Sequence, residues 1–474
     1  MHSPRTTGTS PDGQAPQETT GASDRLLRGC ELHMHILGAF YADDVLALGR
    51  DRYRTVDWQP FRDRYRAHFG ADVDPIAIFD AAVRGDPDGF ARLARLHTYT
   101  AADGGDFGRW EAKFDFFMAI WSTYRRQREA GDRLLLGRML DRYRAQGLDY
   151  VEYRCGTGMD TPGFRHWHHL CARILWDASR AGMTARYIVS LPRWAALEGY
   201  QLLRGLLADH PEIAPAVVGV DFASVEEGFP PKGLRPLFAQ VARDNRADPA
   251  TALDVVCHVG ESYFDKSLES AIRWCHELAE LGARRLGHAI ALGLDPAVAV
   301  ARRPGAHERE LVGERLDQIA YDLHHHAALS TYSVPIDVAA LVREREALMA
   351  RDPTEEIERL YDAERFDGVR RRQRFVLDRL VTLGTVIESC PTSNIRIGGV
   401  PAPAHHPIHR FLASGVNLAI CADDPGNFDI TLSSEIDWVL TYTGYDEVTL
   451  QRRLGDPRRF RLGQQRTHGT QDQS

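Results

Sequence analysis

Eight short apolar runs, separated by segments long enough for helices, limit what this chain can fold into. They are Gly29 to Gly38, Asp149 to Arg154, Ala185 to Ser190, Val217 to Phe222, Val255 to Glu261, Arg285 to Ile290, Val386 to Cys390 and Asn417 to Ala422. Several have lost the polar-apolar alternation of a half-exposed strand, as strands covered on both faces do. Strands of that kind alternating with helices predict parallel pairing and a (β/α)8 barrel of the TIM type, an α/β fold. In such barrels the chemistry sits at the C-terminal ends of the strands, and several of these runs carry polar residues at or near that end.

Two stretches exceed what one crossover helix needs, which predicts insertions after strands one and six. The first, residues 40 to 148, is helical in pattern. The second, about 294 to 384, carries a charged, helix-patterned run from Val338 to Leu383 and the triplet His324-His325-His326, which reads as a solvated loop. It is expected to serve as a lid or an assembly surface, with a homo-oligomer as one outcome. Residues 1 to 24 and 463 to 474 are polar and poor in large apolar side chains, so they read as disordered tails around a barrel spanning 25 to 462.

Val255-Val256-Cys257-His258-Val259-Gly260-Glu261 ends in an imidazole and a carboxylate, with a glycine between them that lets the chain turn. A single buried His is more often a satisfied core residue than a ligand, so the other strand ends decide. His33 and His35 stand two apart on the first strand and share a face. The eighth strand ends in Asp423-Asp424-Pro425-Gly426, adjacent carboxylates that are hard to keep ionised without a cation nearby. His33, His35, His258 and Asp423 together offer three nitrogens and one oxygen, a set suited to one Zn²⁺ per chain. Glu261, His288 and Asp424 remain as acid/base groups around it. Trp110 and Phe114, one helical turn apart, form an aromatic stripe whose plain reading is a core face.

These residues resemble the adenosine deaminase family of the amidohydrolase superfamily. The family's H-x-H-x-x-G is His33 to Gly38, its H-A-G-E is His258-Val259-Gly260-Glu261, and its R-[LI]-G-H is Arg285-Leu286-Gly287-His288. Its C-P-x-S-N is Cys390-Pro391-Thr392-Ser393-Asn394, its D-D-P is Asp423-Asp424-Pro425, and its A-K-F-D-[YF]-[YF]-M helix is Ala112 to Met118. The resemblance implies zinc on His33, His35, His258 and Asp423. It also implies that Glu261 protonates N1 of a purine, and that His288 and Asp424 orient the attacking water and take its proton. Trp110 and Phe114 would then close over the base, with Gly38 beside the substrate. Two positions depart from the pattern. Leu37 stands where the family has an Asp that accepts from the ribose 5′-hydroxyl, and Ser224 replaces the glycine whose N–H meets the purine N3.

The implied activity is hydrolytic deamination of an adenine nucleoside or related 6-aminopurine, with a 5′-modified nucleoside favoured. A two-metal amidohydrolase is disfavoured because the fourth strand has no Lys to bridge two ions; Lys occurs only at 113, 232 and 266. His210-Pro211-Glu212 matches H-x-E, but no P-C-x-x-C follows to make a cytidine-deaminase zinc site. An inactive barrel used for binding is the reading from another class, and metal content separates it from the enzyme. The net charge of −8 argues against nucleic acid or anionic membrane as a partner. Seven scattered cysteines read as reduced core thiols, and the cytoplasm is the expected compartment since no run suggests a membrane span or a secretory leader.

Overall fold

The computed structural model describes residues 26–463 apart from 124–127, 181, 223–224 and 304–307. Parallel strands β1 (Cys30–His35), β2 (Tyr150–Cys155), β3 (Thr184–Ser190), β4 (Val217–Asp221), β5 (Asp254–Val259) and β6 (Arg285–His288) pair in chain order. Between β6 and the next strand of this sheet lie β7 (Glu308–Leu311) and β8 (Glu356–Arg359), which pair only with each other. The sheet then continues through β9 (Val386–Ser389) and β10 (Asn417–Ile420). Beyond β10 the chain turns back onto β1: His35 N–H donates to Asp423 O and Asp423 N–H to His33 O, each at 3.0 Å. Those two bonds close the eight strands into a TIM-type barrel and place an acidic pair beside the paired histidines.

Strands β2, β4, β5, β6 and β9 are buried along their whole length, which explains their unbroken apolar runs. Near the N-terminal ends, Ile188, Val218, Val256 and Leu462 pack into one plug, and Leu462 N–H donates to Glu152 at 2.8 Å. The opposite end therefore carries the open cavity. All seven cysteines are buried thiols. No helix among the described residues is long and apolar enough to cross a membrane.

The segment after β6 differs in part from its reading as helical. It contains helices Val312–Thr331 and Val338–Leu348, but β7 and β8 form a two-stranded antiparallel sheet within it. The triplet His324 to His326 lies on the first of these helices rather than in a loop. Helix Ala363–Leu383 starts at an Asp362 cap, ends at a left-handed Gly384 and leads into β9, so it is the crossover helix of the barrel. The tails expected over 1–24 and 463–474 lie outside the described residues, as does Ser224, except for Gly463, whose N–H donates to Asp254 Oδ2 at 2.7 Å and so belongs to the barrel.

Candidate active site

His33 and His35 leave β1 on the same face, their ring centroids 5.3 Å apart. His258, the penultimate residue of β5, comes within 4.6 Å of His33 and 5.1 Å of His35, centroid to centroid. Asp423 completes the group: its Oδ1 is 3.3 Å from His33 Nε2 and 2.8 Å from His35 Nδ1. One ligand atom from each of the four lies within 4.8 Å of the others. Three strand ends far apart in the chain, those of β1, β5 and β10, thus converge because barrel closure brings the end of β10 against β1.

Whether these residues suit a metal ion can be judged from their hydrogen bonds. His33 Nε2, His35 Nε2, His258 Nε2 and Asp423 Oδ1 are buried atoms with no hydrogen-bond partner among the described residues. Unpaired buried polar atoms are costly, and four of them, on residues whose ligand atoms gather within 4.8 Å of one another, are what a cation would satisfy. The outer ring nitrogens are held. His33 Nδ1 meets Glu388 Oε2 at 2.9 Å and His258 Nδ1 meets Asp221 Oδ1 at 3.1 Å, which turns the Nε2 atoms inward. Burial raises the Glu388 carboxyl, but the Arg154 and Arg285 guanidiniums outweigh it and hold Glu388 well below the usual carboxylate range. Asp221 is held low in the same way, against its burial, by His258 and Arg154. Burial keeps His258 down at about 3, so its imidazole is neutral and has a lone pair to give.

Three further groups face the same space. Glu261 follows β5, lines the cavity and is 27% exposed; its Oε2 lies 3.6 Å from His288 Nε2. Burial, reinforced by the Asp423 and Glu226 carboxylates against the pull of His288, raises Glu261 to about 7. His288 ends β6; burial lowers its pKa, but Glu261 and Asp423 outweigh that and raise it. Its Nδ1 is 2.9 Å from Asn394 Oδ1, and Ser393 Oγ donates to Asp423 Oδ2 at 2.6 Å. The motif Cys390 to Asn394 therefore positions two of the site's residues, a task its sequence alone does not assign. Asp424 is raised by burial and by Asp423, and its Oδ1 is 3.2 Å from His35 Nδ1.

Backbone geometry makes its own demands. His288 and Asp423 both have positive φ, 65° and 64°, a conformation that costs a residue with a side chain on the order of 1 kcal/mol or more and collects at functional sites. Gly38 has a different constraint. A Cβ built there would lie 1.7 Å from Asp424 Oδ1 and 2.6 Å from its Cβ, so only glycine lets that carboxylate pack against the turn after β1.

The cavity above these groups has a volume of about 460 Å³. Its walls include Leu37, Gly38, Leu191, Ile397 and the helix Phe107–Thr123, from which Trp110 and Phe114 project as a stacked pair 5.3 Å apart. The aromatic stripe thus borders the cavity as well as packing inward. Arg154, the only Lys or Arg among the described lining residues, is buried and bonded to Glu388 at 3.1 Å. Arg154, Asp221 and Glu388 have no role in the sequence reading; a lone Glu or Arg within an apolar strand is the one signal that could have marked them.

Known proteins resemble this chain over part of its sequence and most of its fold. Residues 353–455, which include the Cys390 to Asn394 and Asp423 to Pro425 motifs, match the family described as adenosine deaminase. The adenine deaminase of Rhizobium leguminosarum bv. trifolii is 37% identical over 75 residues, 16% of this chain and 23% of that protein. An aminodeoxyfutalosine deaminase of Acidothermus cellulolyticus is 44% identical over 52 residues, 11% of this chain and 15% of that protein. The matched stretches span less than a quarter of those two relatives. The structures resemble one another over far more of the chain. Adenine deaminase from Arthrobacter aurescens superposes with a TM-score of 0.51 at 18% identity, covering 93% of this chain and 98% of that one. The N6-methyl-AMP deaminase of Arabidopsis thaliana gives 0.54 at 14% identity, covering 95% and 98%. At such identities the superpositions establish the barrel and no more. The family match falls on the strands that close the barrel and on the acidic pair that follows them, so over this stretch the chain is similar to the adenosine deaminase family.

Proposed function

We propose that this protein is a zinc-dependent hydrolytic deaminase of a 6-aminopurine nucleoside that carries no phosphate. The observation that supports it most is the convergence of four unpartnered buried ligand atoms beside a carboxylic acid, an imidazole and a second carboxylate, all facing one cavity. His33, His35, His258 and Asp423 would hold the ion. When bound, zinc supplies Lewis acidity, the property that makes water acidic near neutral pH.

The remaining work falls to the chain's own groups. Glu261, with its pKa near 7, gives a proton to purine N1, which makes C6 electrophilic. Asp424 and His288 hold a water against C6 and accept one of its protons as the C–O bond forms. That proton passes to the amino group, the C6–N bond breaks and ammonia leaves. The second water proton returns to Glu261 as the carbonyl forms, so the acid is restored and the product keeps its proton on N1. Trp110 and Phe114 cover an apolar base and exclude bulk water.

The lining supports a neutral substrate. The Arabidopsis relative is named for a nucleotide, yet Arg154, the one Lys or Arg among the described lining residues, is already committed to Glu388 and Asp221, while Glu111 and Asp115 add carboxylates to the wall, Asp115 paired with Arg64 at 2.9 Å. A phosphate would find no uncommitted Lys or Arg among the described lining residues. Ammonia release by the zinc-loaded protein tests the proposal across adenine, adenosine, deoxyadenosine, 5′-deoxyadenosine and AMP. Turnover of nucleosides above AMP is expected, and release from none of them rejects the function.

A further inference from the structure

We propose a second metal site, for a divalent transition ion such as Zn²⁺, built from His276, Glu280 and His325 on the outside of the barrel. His276 and Glu280 are one turn apart on helix Leu268–Leu281, which follows β5, so both side chains project from the same face. His325 comes from helix Val312–Thr331, which belongs to the segment inserted after β6. One ligand atom from each of the three lies within 4.8 Å of the others.

Hydrogen bonding does not account for this arrangement. His276 Nε2 is 3.5 Å from Glu280 Oε1, and His325 Nε2 is 3.7 Å from Glu280 Oε2. A contact of about 3.6 Å is too long for a hydrogen bond. Ligand atoms about 2.1 Å from a tetrahedral ion stand roughly 3.4 Å from one another, close to both observed separations. The His276 side chain is fully buried, and its Nε2 has no hydrogen-bond partner among the described residues. That ring is also held from behind. His276 Nδ1 lies 2.7 Å from the Tyr321 hydroxyl, so a proton on Nδ1 leaves the Nε2 lone pair directed at Glu280 and His325. Phe375, on the crossover helix Ala363–Leu383, packs edge-on against His276 with centroids 5.4 Å apart, fixing the imidazole where three helices meet. His325 is 13% exposed and Glu280 34%, so an ion can enter from solvent and keep a water in its fourth position. Such an ion would brace the inserted helix against the barrel, far in function from the deaminase centre and sharing no residue with it.

Metal counting on the intact chain decides the matter. The protein is saturated with Zn²⁺ alone, dialysed, and its metal measured beside His325→Ala and Glu280→Gln. Both variants change partly exposed side chains and spare the buried His276. Each should hold one ion per chain fewer than the parent and keep its rate of ammonia release. Added Zn²⁺ should raise the melting temperature of the parent more than that of either variant. The site in the barrel is tested separately by Asp423→Ala, so loss of either ion is read independently of the other. Equal zinc content in the parent and both variants would overturn the proposal.

Discussion

At the residue scale, the site asks two adjacent carboxylates to do different work. Asp423 carries an unpartnered Oδ1 among the ring nitrogens, whereas Asp424 packs on Gly38 and meets His35. Asp423→Ala should therefore lower bound zinc, and Asp424→Ala should keep the metal while losing about 10² to 10⁴ in rate. Gly38→Ala offers an independent check, because its methyl group would displace the Asp424 carboxylate: it should reproduce the Asp424→Ala phenotype, and a normal rate would detach Asp424 from the chemistry. Glu261 brings a pH dependence. It must be protonated to donate, so with a pKa near 7 the competent fraction falls about tenfold for each pH unit above that value. The parent's kcat/KM should show this alkaline limb. Glu261→Gln should keep zinc, lose about 10² to 10⁴ in rate and lack the limb; a zinc-loaded variant of near-normal rate would remove Glu261 from the mechanism. His33, His35, His258, Glu261 and Asp423 were legible because each sits at the end of an apolar run, where a polar side chain needs a reason. The carboxylates that turn the rings, Glu388 and Asp221, were not, since nothing local to either residue says which histidine it will meet across the barrel. Nor were the positive φ angles of His288 and Asp423, which the closed barrel imposes on residues that tolerate them.

At the element scale, the eight barrel strands were readable because burial on both faces strips polar residues from them. Strands β7 and β8 were hidden by the same logic in reverse: Glu308-Arg309-Glu310-Leu311 and Glu356-Ile357-Glu358-Arg359 are too charged to look like strands. What makes them strands is pairing across β7 and β8, with ion pairs such as Arg359 Nη1 to Glu310 Oε1 at 2.8 Å. Their attachment to the barrel depends on Arg365 of the crossover helix. Its guanidinium grips Glu269 at 2.8 and 3.0 Å and also pairs with Glu308, itself completely buried. Removing one partner of a buried pair leaves the other charge uncompensated, so Arg365→Ala should destabilise the protein by about 3 to 5 kcal/mol. Chemical denaturation measures the loss. Since Arg365 lies outside the cavity, residual folded protein should keep its KM, and a loss under 1 kcal/mol would mean the inserted sheet is held by other contacts.

At the scale of the whole molecule, charge and cavity lining bear on the same question of substrate. The chain carries 66 acidic against 58 Lys and Arg side chains, a net charge of −8, and the cavity adds Glu111 and Asp115 to its own acidic groups. An anionic substrate is thus repelled at long range and meets no uncommitted Lys or Arg among the described lining residues, so kcat/KM for AMP should fall at least tenfold below that for adenosine, the gap narrowing as salt screens the field. The sugar should matter less than in the family this chain resembles. Leu37 lines the cavity where that family carries an Asp for the ribose 5′-hydroxyl, and a hydroxyl facing Leu forgoes an interaction worth about 0.5 to 1.5 kcal/mol, more when the acceptor is charged. With Leu191 and Ile397 also in the wall, apolar surface is available for a substituent that replaces the hydroxyl. Removal of the 5′-hydroxyl should leave kcat/KM equal or higher, while the groups around C6 are untouched. Steady-state kinetics on adenosine and 5′-deoxyadenosine, at one pH and one ionic strength, measure this directly. A tenfold or greater loss on removing the hydroxyl, about 1.4 kcal/mol, would show that another residue supplies the missing acceptor and that Leu37 does not set the preference.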